Sequence, residues 1–72
     1  MKVKIQLDTM SDVRRLVAAA TQVPSPVYIT DGNGLKVSAK SMMGAIYSLE
    51  FDELWCECDM DIFHIIAPFM AE

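Results

Sequence analysis

The stretch from Val27 to Ala39 constrains the fold more tightly than any other part of the chain. Val27-Tyr28-Ile29-Thr30 is rich in residues that suit a pleated surface. Asp31-Gly32-Asn33-Gly34 follows, a strong hairpin signal whose two glycines leave the turn type open. Leu35–Ala39 reads as the return strand, with Leu35 and Val37 expected on one face. Immediately upstream, Pro24-Ser25-Pro26 ends any helix arriving from the N-terminal side. An isolated hairpin is at best marginally stable in water, so the rest of the chain must cover it.

The flanking segments supply that cover. In Met1–Leu7, Val3, Ile5 and Leu7 alternate with Lys2, Lys4 and Gln6, which predicts a strand with one buried face. A helix is predicted from Thr9 or Ser11 to about Gln22, and Thr9 and Asp12 have the spacing of an acidic capping box. Val13, Leu16, Val17 and Ala20 form its apolar stripe. Ser41 is placed to cap a second helix, Met42 to about Leu49, weakened internally by Gly44. Phe51-Asp52 turns the chain into a last strand, Glu53–Cys58, with Leu54, Cys56 and Cys58 on one face and Trp55 and Glu57 on the other. Asp59 or Asp61 starts a final helix with Ile62, Ile65, Ile66 and Phe69 on its apolar side, broken near Pro68.

The resulting order is β-α-β-β-α-β-α. One apolar face per strand and one stripe per helix predict an α+β, open-faced sandwich: a mostly antiparallel four-stranded sheet with three helices on one face. Lys4, Gln6, Lys36, Trp55 and Glu57, with Tyr28, are candidates for the face left to water. A chain of 72 residues makes one domain, and its hydrophobic share of 53% argues against disorder.

Charge and motifs exclude several functions. Residues 1–49 hold all six bases and three acids, whereas residues 50–72 hold seven acids and no base, for a net charge of −4. An acidic chain without a basic run is a poor ligand for nucleic acid, whose affinity rests on cation–phosphate contacts. The acidic half reads as a solvated face, with a docking surface as the alternative. No continuous apolar run opens the chain or is long enough to span a bilayer, so neither a signal peptide nor a membrane segment is expected, and the expected location is cytoplasmic. Cys56 and Cys58 are too few for a disulfide framework and lack partners for a metal site; they read as small buried hydrophobes. Asp31-Gly32-Asn33-Gly34 lacks the acidic spacing and distal glutamate of a calcium loop. No catalytic set, cofactor loop or metal spacing is present, so no enzyme activity, cofactor or metal is expected.

Val37-Ser38-Ala39-Lys40-Ser41-Met42-Met43-Gly44-Ala45-Ile46-Tyr47-Ser48-Leu49, with Lys40-Ser41-x-Met43-Gly44 as its kernel, resembles the segment that ends the third strand and builds the second helix of HPr, the histidine-containing phosphocarrier of the bacterial sugar phosphotransferase system. The element order and Glu53–Cys58 agree with that family, and the likeness in residues spans about positions 34–58. The resemblance implies that Ser41 is a regulatory phosphorylation site of a dedicated kinase, and that Met42 and Met43 belong to a partner-docking surface. Where the family carries Gly-x-His-Ala-Arg-Pro, this chain reads Leu7-Asp8-Thr9-Met10-Ser11-Asp12-Val13-Arg14-Arg15, without the phosphoryl-accepting histidine. The chain is similar to the shortened, histidine-free HPr-like proteins of clostridial-type bacteria. The implied function is a non-catalytic regulatory or protein-binding module. Its partner would be a phosphotransferase component, HPr kinase or a transcription regulator. The alternatives are a phosphocarrier with a non-standard acceptor and a self-associating structural domain, and the expected state is monomer or weak homodimer.

Each candidate residue also has a structural role. Ser41 as N-cap is compatible with Ser41 as phosphosite, because the helix dipole favours an anion there. Met42, Met43 and Tyr47 form a docking patch if Ile46 and Leu49 alone anchor their helix; otherwise two of the three are core. Trp55 suits cross-strand packing against Lys4 or Tyr28, with self-association as the alternative. His64, the single histidine, reads as a surface or half-buried helix residue rather than a phosphoryl acceptor.

Overall fold

A computed structural model describes residues 1–71; Glu72, counted above in the acidic half, lies outside the described residues. The elements are β1 (Lys2–Ile5), α1 (Met10–Thr21), β2 (Val27–Thr30), β3 (Lys36–Ser38), α2 (Met42–Tyr47), a 3-10 turn (Ser48–Glu50), β4 (Leu54–Cys58), α3 (Phe63–Ile66) and a second 3-10 turn (Ala67–Phe69). The sheet has four strands in the order β1-β4-β2-β3, and every pairing is antiparallel. The fold is α+β.

Local sequence explains most of these boundaries. Thr9 caps α1: its hydroxyl accepts from the Asp12 amide at 3.1 Å, and the Asp12 carboxylate accepts from the Thr9 amide at 3.2 Å. Val13, Leu16 and Ala20 are buried, with Val17 packed against them, so the predicted stripe is the core face. In the hairpin, Gly32 (φ 82°) and Gly34 (φ 112°) take left-handed backbone that other residues rarely adopt. The Asp31 carboxylate accepts from the amides of Asn33 (2.7 Å) and Leu35 (3.1 Å), which holds the loop closed. Leu35 is therefore part of that loop and exposed, not on the inner face with Val37 as expected. α3 is a single turn that stops before Pro68, with Ile62, Ile66 and Phe69 buried. Asp61 does serve its start, accepting from the Phe63 amide at 3.1 Å.

The sheet divides cleanly into two faces. Val27, Ile29, Ile5, Cys56 and Cys58 join the helix residues in one buried cluster. On the other face the register sets Lys36, Thr30, Trp55 and Lys4 in one cross-strand row, and Ser38, Tyr28, Glu57 and Lys2 in the next. Lys2 and Lys4 lie 5.5 and 6.0 Å from the Trp55 ring centroid, and Lys36 lies 5.0 Å from that of Tyr28. Trp55 is half-buried by this packing, as cross-strand pairing predicts.

One feature of the topology is absent from the sequence pattern. The C-terminal segment returns along the outer side of β1: the Gln6 amide donates to Phe69 O (2.8 Å), the Ala71 amide donates to Lys4 O (3.1 Å), and Ile5 bridges Met70. An otherwise unpaired sheet edge is thereby covered.

Candidate functional site

The site is built on α2 and the 3-10 turn that follows it. Ser41 caps α2, its hydroxyl accepting from the Gly44 amide at 3.1 Å, and the residue is exposed. The capping reading is thus realised, with the hydroxyl at the surface. Gly44 permits a close approach to the hairpin, because a Cβ there would stand 3.1 Å from the Ser38 carbonyl oxygen. At that separation the helix buries only small side chains against its neighbours. Ala45 and Ser48 are fully buried, and the Ser48 hydroxyl donates to Ala45 O at 2.6 Å.

The large side chains consequently face outward. Met43 is 83% exposed and Tyr47 56%; Met42, Ile46 and Leu49 are each about two-fifths exposed. Neither alternative for the helix holds: none of Met42, Met43 and Tyr47 is core, and it is not Ile46 and Leu49 that anchor it. They extend the surface patch instead, and Met42, Met43 and Tyr47 are all part of it. Tyr47 leans edge-on against the half-buried Phe51, ring centroids 5.8 Å apart, which steadies one end of the patch. The run Ser41–Leu49 contains no charged residue. That lack of charge is the feature of the sequence that could have placed Ile46 and Leu49 in the patch. Clusters of exposed apolar side chains of this kind mark interaction surfaces.

A second region concerns the start of α1. The Asp12 carboxylate accepts from the amides of both Asp8 (2.9 Å) and Thr9 (3.2 Å), and Arg15 lies 3.5 Å away. The Asp12 carboxylate thus reaches back from the first turn of α1 and closes the chain just ahead of it, at Asp8 and the N-cap Thr9. The Asp8 amide, then the Thr9 contacts and Arg15, keep the Asp12 carboxyl below its usual range of 3.8 against a smaller opposing effect of burial. A depressed carboxylate contributes stability that is present above its unfolded pKa and lost as pH falls through its folded pKa. Asp12→Asn is therefore expected to lower the urea midpoint relative to wild type at about pH 6, the gap narrowing as pH falls below 3.8 towards the lower folded pKa. A gap that stays constant across that range would refute the linkage.

The remaining candidates are placed apart from α2. His64 is exposed on α3. Cys56 and Cys58 are free and buried, and burial, reinforced by Cys58, pushes the Cys56 thiol up to about 11. On the open sheet face Lys36 and Glu57 pair at 2.6 Å, which raises the lysine and lowers the glutamate. Among the described residues no group of three or more His, Cys, Asp or Glu could hold a metal ion, and no helix is long and apolar enough to cross a membrane.

Comparison with family models, with curated proteins and with solved structures found no match. The described residues form a small α+β domain with an exposed helical surface, Ser41–Leu49, that carries no charged residue, and a self-capped first helix.

Proposed function

We propose that this chain is a non-catalytic, HPr-like binding module that docks a protein partner through the α2 surface, with Ser41 at its edge as the regulated position. The observation that carries the reading is the inversion of α2: its small residues are buried and its large apolar ones are presented to solvent. Leaving Met43 and Tyr47 in water has no benefit to the free domain, and methionine suits an adaptable contact. The kinship to HPr is supported by the Lys40–Leu49 segment and by the agreement in element order. The absence of phosphoryl transfer is supported by the lack of a histidine in Leu7–Arg15 and by Asp12, whose carboxylate takes the amides of Asp8 and Thr9 just ahead of α1, near the place where that family holds its phosphohistidine. The partner would be a phosphotransferase component, HPr kinase or a transcription regulator, reached in the cytoplasm.

The test is a titration of purified enzyme I, HPr kinase and a phosphotransferase-linked regulator from a related bacterium against the labelled domain. At least one is expected to bind, and Met43→Asp to weaken it by about tenfold or more, or about 1.4 kcal/mol. No binding by any of the three, or equal binding by the variant, would sink the proposal. A stoichiometric acid-labile adduct formed with phosphoenolpyruvate and enzyme I, and lost in His64→Ala, would instead make the domain a phosphocarrier.

A further inference from the structure

The sulfur atoms of this chain differ sharply in access to solvent. Peroxide ordinarily reaches cysteine first, through the thiolate. Here both cysteines are buried on the inner sheet face, at 1% and 3% exposure, and Cys56 is held protonated by its surroundings. Of the six methionines, Met1 is half-buried, with its sulfur accepting from the Ile62 amide at 3.0 Å. Met10, Met42, Met60 and Met70 are between 37% and 41% exposed. Met43, at 83%, stands alone. It also sits within the uncharged Ser41–Leu49 surface, where a single new polar group changes the character of the whole patch.

We infer that Met43 is a reversible oxidation site, at which hydrogen peroxide converts the thioether to a sulfoxide and so turns the α2 surface from apolar to polar. The sulfur lone pair attacks one peroxide oxygen, the S–O bond forms and the O–O bond breaks. The transferred oxygen's proton passes to the departing hydroxide, which leaves as water. Sulfur loses two electrons and the peroxide gains them. The sulfoxide is a strong acceptor that an apolar docking partner leaves unsatisfied, and reductases specific for methionine sulfoxide reverse it. That oxidation lowers partner affinity rests on the docking reading above; the selectivity of the chemistry does not.

The experiment exposes the native domain to limiting hydrogen peroxide, then maps oxygen incorporation by peptide mass spectrometry, with a urea-unfolded control. Met43 is expected to oxidise about twofold or more faster than any other methionine in the native domain, with the preference lost in urea. Retention on a hydrophobic-interaction column is expected to fall in step for wild type, to recover with methionine sulfoxide reductase, and to stay unchanged through the first oxidation phase in Met43→Leu. Uniform methionine oxidation, earlier oxidation of the cysteines, or Met43 sulfoxide without a shift in retention would each overturn the inference. If selective oxidation and the retention shift hold while none of the three candidate partners binds, the docking reading alone has failed.

Discussion

Ala45→Asp is expected to unfold the domain or cost about 3 kcal/mol or more, whereas Met43→Asp, two positions away on the same helix, is expected to fall within about 0.5 kcal/mol of wild type. Ala45 is fully enclosed and belongs to the core cluster, on a helix that packs against α1 and β3. A carboxylate there finds neither water nor a cation, and the close seating of α2 gives its extra atoms no room. At Met43 the same carboxylate stands in solvent in the first turn of a helix, where the backbone dipole tolerates or favours a negative charge. Thermal melts followed by far-ultraviolet circular dichroism, recorded on both variants, decide the matter. Unfolding by Met43→Asp would place that side chain in the core and remove the docking surface altogether. Indifference to Ala45→Asp would mean that α2 is not seated on the sheet.

The second large effect lies in α1. Leu16→Ala is expected to destabilise the domain by about 3 kcal/mol, because Leu16 is one of the largest fully buried side chains and its removal leaves a cavity as well as losing burial. A domain of this size has roughly 4–11 kcal/mol of stability in total, so the loss is a substantial share of it. The thermal midpoint is expected to drop by about 12–24 °C. Ile46→Ala, which removes a similar side chain from the α2 surface, is the contrasting control. It should move the midpoint little, since Ile46 keeps much of its surface in water. Equal effects of the two substitutions would contradict the assignment of inner and outer positions.

Helix α1 was legible in the residues because every part of its code is local. Thr9 and Asp12 are one turn apart and cap each other without help from elsewhere. Val13, Leu16 and Ala20 are spaced by the helical period, and the period alone assigns them to one face. The same holds for the strands: Lys4, Trp55 and Glu57 could be assigned to the wet face, and Cys56 and Cys58 to the dry one, from alternation. Ser41 was identifiable as a cap from its position before an apolar run.

Helix α2 was not legible in that way. Its sequence is apolar nearly all round, so the pattern does not say which side is buried. Ile46 and Leu49 could as well have been its anchors as part of its surface. How close the helix comes to β3 is set by Gly44 against the Ser38 carbonyl, and at that distance Ala45 and Ser48 fill the space. The pairing of the Phe69–Ala71 segment with β1 was equally hidden, because backbone hydrogen bonds between distant segments leave no mark on side-chain spacing. Local spacing was enough to give the order of the elements, the caps of α1 and α2 and the two faces of the sheet, since those depend on neighbours within a turn or two. Which side of α2 meets the solvent was settled by packing, since that depends on the distance between segments and on what volume it leaves to fill.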